Sequence, residues 1–220
     1  MSLPRLLPTR IMIPSVPLRN RVTPLGDLVA VAERGLVYGN RGCLHDASGR
    51  IVRRSATRRW IACRLSFRGW YRSPQPQPGR YTGLYFLDDA TALAAGHRPC
   101  ALCRRADYER VLDVLGVRGA DEVDRVLAAE RDGERPRVRV DALPDGAFVV
   151  ADRGPCLVLG GALRSWSPAG YGPPLPAPAH AELVTPPSLV RVLSAGWAPL
   201  VPFLHPSAVA RRDMSLRQTT

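Results

Sequence analysis

Two cysteines stand three positions apart in "AAGHRPCALCRRADY", residues 94–108, between His97-Arg98-Pro99 and Arg104-Arg105. A Cys-x-x-Cys turn lets two thiolates converge on one metal ion, with backbone N–H groups directed at the sulfurs. The arginines around it favour the thiolate form electrostatically. A redox pair is the alternative, but that chemistry expects a helix to begin at the first cysteine. Here a helix-like segment ends just before the pair, and Pro99 precedes the thiols instead of separating them.

A tetrahedral structural zinc takes four ligands. Cys63, with 36 residues between it and Cys100, is the natural third, at the end of an expected strand in "WIACRLSF". For the fourth, Cys43 and His45 lie two apart in "GNRGCLHD" and would share one face of a strand. His45 is favoured over Cys43, because Asp46 beside it could orient the imidazole. His97 is too close to the turn to join both of its cysteines. Cys156, in the apolar run "PCLVLGG", reads as a buried thiol. Five cysteines are an odd number, and with no export signal in view they favour thiols or metal ligands over a disulfide framework.

The elements that must position these residues follow from local patterning. Residues 1–18 read as a disordered leader and 211–220 as a disordered tail. "RVTPLGDLVAV" suggests an entry strand, "RIVRRSATRRWIACRLSF" one or two more, and "YTGLYFLD" another, with "RSPQPQPGR" a proline-rich loop. Asp88 or Asp89 caps a short helix, "DATALAAG", that Gly96 ends. "RADYERVLDVLG" and "ADEVDRVLAAERDGE" are amphipathic helices, the first with Tyr108, Val111, Leu112 and Leu115 on one side. Beyond about residue 137 the chain reads as short strands joined by Asp-Gly and Gly-Gly turns, then a helix in "VTPPSLVRVLSAGW" with proline in its first turn. The expected fold is α+β: a metal-centred lobe over 19–136 and a small β-rich lobe over 137–210.

All 31 basic residues are arginine, and the net charge is +12. Residues 41–80 hold ten arginines against one acid, Asp46, whereas 140–210 hold three against four. Clustered guanidinium groups displace counterions from phosphates, so the first half points to a polyanion partner, nucleic acid first among them. The candidate contacts are Arg58, Arg59, Arg64, Arg98, Arg104 and Arg105. Trp60, Trp70, Tyr71 and Tyr81 interleave with arginines, a mixture suited to base stacking or backbone contact. Apolar runs are cut by Arg, Gly or Pro before they reach a membrane span, and a cytoplasmic location is expected. Ser207, His205 and Asp141 could be assembled into a triad, but no Gly-x-Ser-x-Gly elbow accompanies them.

The segment "FLDDATALAAGHRPCALCRRADY", with "WIACRLSF" ahead of it, resembles the metal-binding domain of the Ada family of bacterial alkylation-response proteins over residues 60–110. That resemblance implies zinc held by Cys63, Cys100 and Cys103. It also implies a cysteine matching Cys63 that accepts a methyl group from a DNA phosphotriester. The family carries a second cysteine four residues after the first, where this chain has Phe67. A centre with imidazole in place of that thiolate is a weaker methyl acceptor. Read end to end, the chain is also similar to a bacterial family carrying "GNRGCLHD", this knuckle, "WSPAGYG", "VTPPS" and "LHPSA". That similarity implies the layout and no reaction.

The leading expectation is a zinc protein that binds DNA through an arginine-rich face. The alternatives are methylphosphotriester repair with Cys63 as acceptor, and an enzyme with a structural zinc whose site surrounds "WSPAGYG".

Overall fold

The computed structural model describes residues 17–70, 77, 79–152, 154–197, 199 and 202–209. The expected leader before residue 17, the tail and most of the proline-rich loop lie outside the described residues. The fold is mixed α+β, with two six-stranded sheets and four α-helices among the described residues.

The first sheet is built from β1 (Arg21–Val22), β2 (Leu28–Val29), β3 (Val37–Asn40), β4 (Ile61–Cys63), β5 (Leu84–Phe86) and β6 (Arg98–Pro99), in the order β2-β1-β5-β3-β4-β6. The expected single entry strand is a hairpin, since Gly26 adopts φ +86° and turns β1 back on β2. Pro99 has no N–H to donate, and β6 accordingly occupies the sheet's edge, paired in parallel with β4.

Helix α1 (Asp89–Ala94) follows β5 and is buried along its whole length. Asp88 caps it by accepting the Thr91 N–H, and Gly96 closes it at φ +79°. Helices α2 (Arg105–Leu115) and α3 (Ala120–Asp132) follow the knuckle. The second sheet comprises β7 (Arg137–Arg139), β8 (Phe148–Ala151), β9 (Gly154–Leu159), β10 (Ala162–Ser167), β11 (Gly170–Leu175) and β12 (His180–Leu183), in the order β11-β10-β9-β8-β12-β7. Gly160 and Gly161 both have positive φ and join β9 to β10, as the Gly-Gly turn predicts. Part of the expected proline-rich arm is the end of β11. Helix α4 (Pro187–Ser194) starts on proline.

The core explains why α1 is so apolar. Ala92 and Ala95 pack with Val22, Val37, Leu84 and Phe86 of the first sheet. Ala90 and Ala94 pack with Phe148 and Leu157 of the second, and Leu93 joins Val149, Val158 and the stripes of α2, α3 and α4. A small-residue helix thus serves two cores at once. Among the described residues, no helix is long and apolar enough to cross a membrane.

Candidate metal centre

The register of β4 against β6 builds the site. Ala62 lies opposite Pro99, so Cys63 and Cys100 leave the sheet side by side, and the Cys100 N–H donates to the Ala62 carbonyl at 2.9 Å. The chain then turns through Ala101 and Leu102, and the Arg104 N–H closes the turn on the Cys100 carbonyl at 3.0 Å. Cys103 returns to the other two thiols. The Sγ atoms of Cys63, Cys100 and Cys103 all lie within 4.8 Å of one another. Ligands around a tetrahedral zinc, each at about 2.3 Å, sit about 3.8 Å apart, so the cluster fits such an ion.

Two backbone donors address the sulfurs: Leu102 N–H to Cys100 Sγ and Arg64 N–H to Cys103 Sγ, each at 3.4 Å. Such donors stabilise thiolates and orient them. Cys63 and Cys103 are buried, Cys100 is half-buried, and Tyr38, Ile61, Phe67 and Tyr85 pack around them. As thiols, the three share protons unequally. Hydrogen bonds from Cys103 and then Cys63 push the Cys100 thiol down to about 2. The Cys63 thiol is driven far up, first by its bond to Cys100, then by Cys103 and burial. A cation bound among them would displace the two remaining protons.

The expected fourth ligand is elsewhere. His45 is 6% exposed, with Nδ1 2.7 Å from Thr82 Oγ1 and Nε2 3.1 Å from the Gln77 carbonyl. That carbonyl needs a donor, so Nε2 carries the proton and Nδ1 accepts from Thr82. Neither nitrogen has a lone pair to spare for a metal. Asp46 does not orient this ring; it accepts from Ser48 and Arg50 in its own turn. Cys43 is also outside the cluster, its thiol 3.6 Å from the His45 carbonyl. All five cysteines are free thiols. Every cysteine and histidine of the chain is among the described residues, and only Cys63, Cys100 and Cys103 come together. Phe67, at the position where the resembling family has its second cysteine, packs against the thiols and stacks edge-on with Trp70.

The arginines divide. Arg58, Arg59, Arg64 and Arg105 are exposed, Arg59 pairing with Asp121 and Arg105 with Glu109 on the surface. Arg98 and Arg104, expected on the nucleic-acid face, are turned inward. Arg98 makes a bidentate pair with Asp124 at 2.8 and 3.0 Å, and Arg104 is enclosed by Asp89 and Asp107. Both are spent on buried carboxylates and have no reach to a phosphate. Burial alone would push the Arg104 guanidinium down, but the two carboxylates outweigh it and hold it above its ordinary value.

The pieces around "WSPAGYG" also converge, in a way that sequence reasoning missed. Asp88 accepts from Thr91, from the Tyr171 hydroxyl at 2.7 Å and from the His205 backbone N–H at 2.8 Å. Trp166 donates to Thr91, and Ser207 Oγ accepts the Tyr171 N–H while standing 2.9 Å from His205 Nδ1. His205 and Ser207 therefore meet each other but not Asp141, which is paired with Arg139 on the surface. It is the backbone of His205, not its ring, that Asp88 holds, so the cluster ties the 202–209 segment to the start of α1. The helix-cap pattern at Asp88 was visible in sequence; its distant donors had no local signal. Comparisons with protein-family profiles, with curated proteins and with solved structures find no match.

Proposed function

We propose that the chain is a zinc-thiolate protein that binds nucleic acid on the face around its knuckle. The observation that carries this reading is the convergence of three thiols with two backbone N–H donors on sulfur. Zinc suits a soft, all-sulfur donor set, and Cys63, Cys100 and Cys103 would hold it. Three thiolates are one short of a closed structural shell, and His45 and Cys43 do not supply the fourth group. The resemblance to the Ada metal-binding domain agrees with the same three cysteines.

The surface around the thiols supports a nucleic-acid partner. Leu102, Trp70 and Leu65 are 55%, 51% and 43% exposed, and Arg64, Arg68 and Arg105 stand exposed in the same segments. Apolar and aromatic surface among guanidinium groups suits stacking on bases with phosphates alongside. Methyl transfer to Cys63 is the weaker reading, since that residue is only 5% exposed.

The test is metal analysis joined to binding. The purified protein carries about one zinc per chain, and Cys100→Ser or Cys103→Ser loses it. If Arg58, Arg59, Arg64 and Arg105 each neutralise one phosphate, affinity for a single-stranded oligonucleotide falls about 50-fold between about 50 and 200 mM salt. Full zinc retention in both variants would sink the metal assignment. Salt-independent binding, or none, would sink the nucleic-acid assignment.

A further inference from the structure

Shortly after Cys63 the chain makes a tight turn, Phe67-Arg68-Gly69-Trp70, closed by the Trp70 N–H on the Phe67 carbonyl at 3.0 Å. Both central residues have positive φ, +52° at Arg68 and +69° at Gly69, the pattern of a type I′ turn. Glycine adopts that conformation freely, but a residue with a Cβ does not. Arg68 is the one non-glycine residue at positive φ among the described residues, where such turns favour asparagine or glycine. Its side chain is exposed, so burial does not account for its presence. Strained positions of this kind gather at binding sites.

The same turn sets two aromatic rings. Phe67 packs against Cys63 and Cys103, and the Trp70 ring meets it edge-on, with centroids 5.5 Å apart and planes at 89°. The Arg68 Cζ stands 5.0 Å from the Phe67 ring centroid. Trp70 is exposed, whereas Trp60, Trp166 and Trp197 are buried or half-buried. Its indole is held by the turn and by Phe67, so a flat group stacking on it orders little that is not already ordered.

The charge along this stretch has one sign. From Cys63 to Trp70 the chain carries Arg64 and Arg68 and no acid, and both arginines are exposed. The backbone of Arg64 is fixed to the knuckle through its N–H on Cys103 Sγ. An exposed indole beside guanidinium groups matches a polymer that offers flat rings and phosphates in alternation. A duplex hides the faces of its bases in the stack and presents edges and phosphates. A tip of this shape therefore reaches the face of a base only where the base is unpaired.

We propose that the Phe67–Trp70 turn is a stacking tip for single-stranded nucleic acid, with Trp70 taking an unpaired base and Arg64 and Arg68 the phosphates beside it. This rests on the reading of the knuckle face as a nucleic-acid surface, and it narrows the ligand from nucleic acid at large to unpaired strands.

Anisotropy titration of the full-length protein against a labelled short single strand, and against the same strand annealed to its complement, tests this at matched salt. The single strand binds about tenfold or more tighter than the duplex and quenches tryptophan emission. Trp70→Ala weakens the single strand about 5- to 150-fold, the worth of one stacked base, and removes the quenching, while duplex affinity stays within about twofold. Arg68→Asn gives the turn its preferred Asn-Gly centre, so that variant melts no lower than the parent. It nevertheless lowers the slope of log affinity against log salt by about 0.7, one phosphate on a single strand. Equal affinity for the two forms, or a Trp70→Ala loss shared equally by both, overturns the stacking tip and leaves the broader nucleic-acid reading standing. An unchanged salt slope in Arg68→Asn overturns the role given to Arg68. Absence of binding to either form overturns both readings.

Discussion

Replacing Arg104 by methionine should unfold this protein at a markedly lower temperature and loosen its knuckle in the same step. Arg104 directly follows Cys103, and its guanidinium makes three short hydrogen bonds: Nη1 to Asp89 Oδ1 at 2.7 Å, Nη2 to Asp89 Oδ2 at 2.8 Å, and Nε to Asp107 Oδ2 at 2.8 Å. Side-chain exposures are 0% for Arg104 and Asp89 and 4% for Asp107, so solvent does not screen these pairs. The methionine fills the volume but leaves the Asp89 carboxylate buried without its cation. Asp107 suffers less, because the Trp197 indole N–H still reaches it at 3.4 Å. Breaking a buried pair on one side costs about 3–5 kcal/mol. For a chain of this size that lowers the melting temperature by about 10–15 °C. Zinc affinity should fall as well, since the triad fixes the residue after Cys103 to the first turn of α1. The assay is calorimetric melting of metal-loaded protein, followed by competition with a chelator. A companion variant, Arg104→Met with Asp89→Leu, removes the stranded charge and should recover much of the loss. A single variant melting within about 2 °C of the parent, or a double variant no better than the single, would refute the reasoning.

Other consequences are equally concrete. Tyr171→Phe takes one of the donors from buried Asp88, and urea unfolding should show a loss of about 1–3 kcal/mol. In Gly39→Ala the new Cβ would lie 2.3 Å from the Ile61 carbonyl oxygen, a backbone atom of the strand carrying Cys63. Overpacking there should cost about 1–3 kcal/mol and lower zinc retention, both readable on one sample. The Ser48 hydroxyl and then the Arg50 N–H hold the Asp46 carboxyl at about 2, below its ordinary value. Its folded-state pKa is depressed, so its contribution to stability is present above the ordinary carboxylate range and is lost as pH falls through about 2. A carbon-detected NMR titration of Asp46 with a midpoint near the ordinary value would contradict that turn.

The helices and the knuckle were legible because their signals are local. Asp88 before "DATALA", Gly96 after it and the proline in "TPPS" are caps and starts that need no distant partner. Cys-x-x-Cys is likewise a local geometry, and Cys63 was found because a strand ending in cysteine had to lie beside it. The misreadings share one cause. Arg98 and Arg104 looked like surface charge because they flank the thiols in a run of basic residues. Most of the acid that holds them lies farther off: Asp124 is 26 residues away on α3 and Asp89 is 15 residues back on α1, with Asp107 alone close by, three residues after Arg104. His45 beside Asp46 looked like an oriented ligand, yet Thr82 and the Gln77 carbonyl claim its ring from 37 and 32 residues away.

The same distance effect alters what the net charge means. A charge of +12 counts Arg41, Arg98 and Arg104 alongside the surface arginines, yet none of these three faces solvent. Arg98 and Arg104 are neutralised within the fold, so they add nothing to the field that a polyanion meets. Arg41 differs: it is as deeply buried, and its guanidinium meets the His97 ring, the Gly26 carbonyl and the Trp60 face in place of a paired carboxylate. Burial first, and then the neighbouring Arg54 and Arg131 cations, push the Arg41 guanidinium well below its ordinary value. Exposed arginines around the thiols can exchange one phosphate for another with salt, as a polyanion contact requires. Salt dependence therefore reads the exposed arginines alone, and the slope for an oligonucleotide at the knuckle should count those and not the +12 of the whole chain.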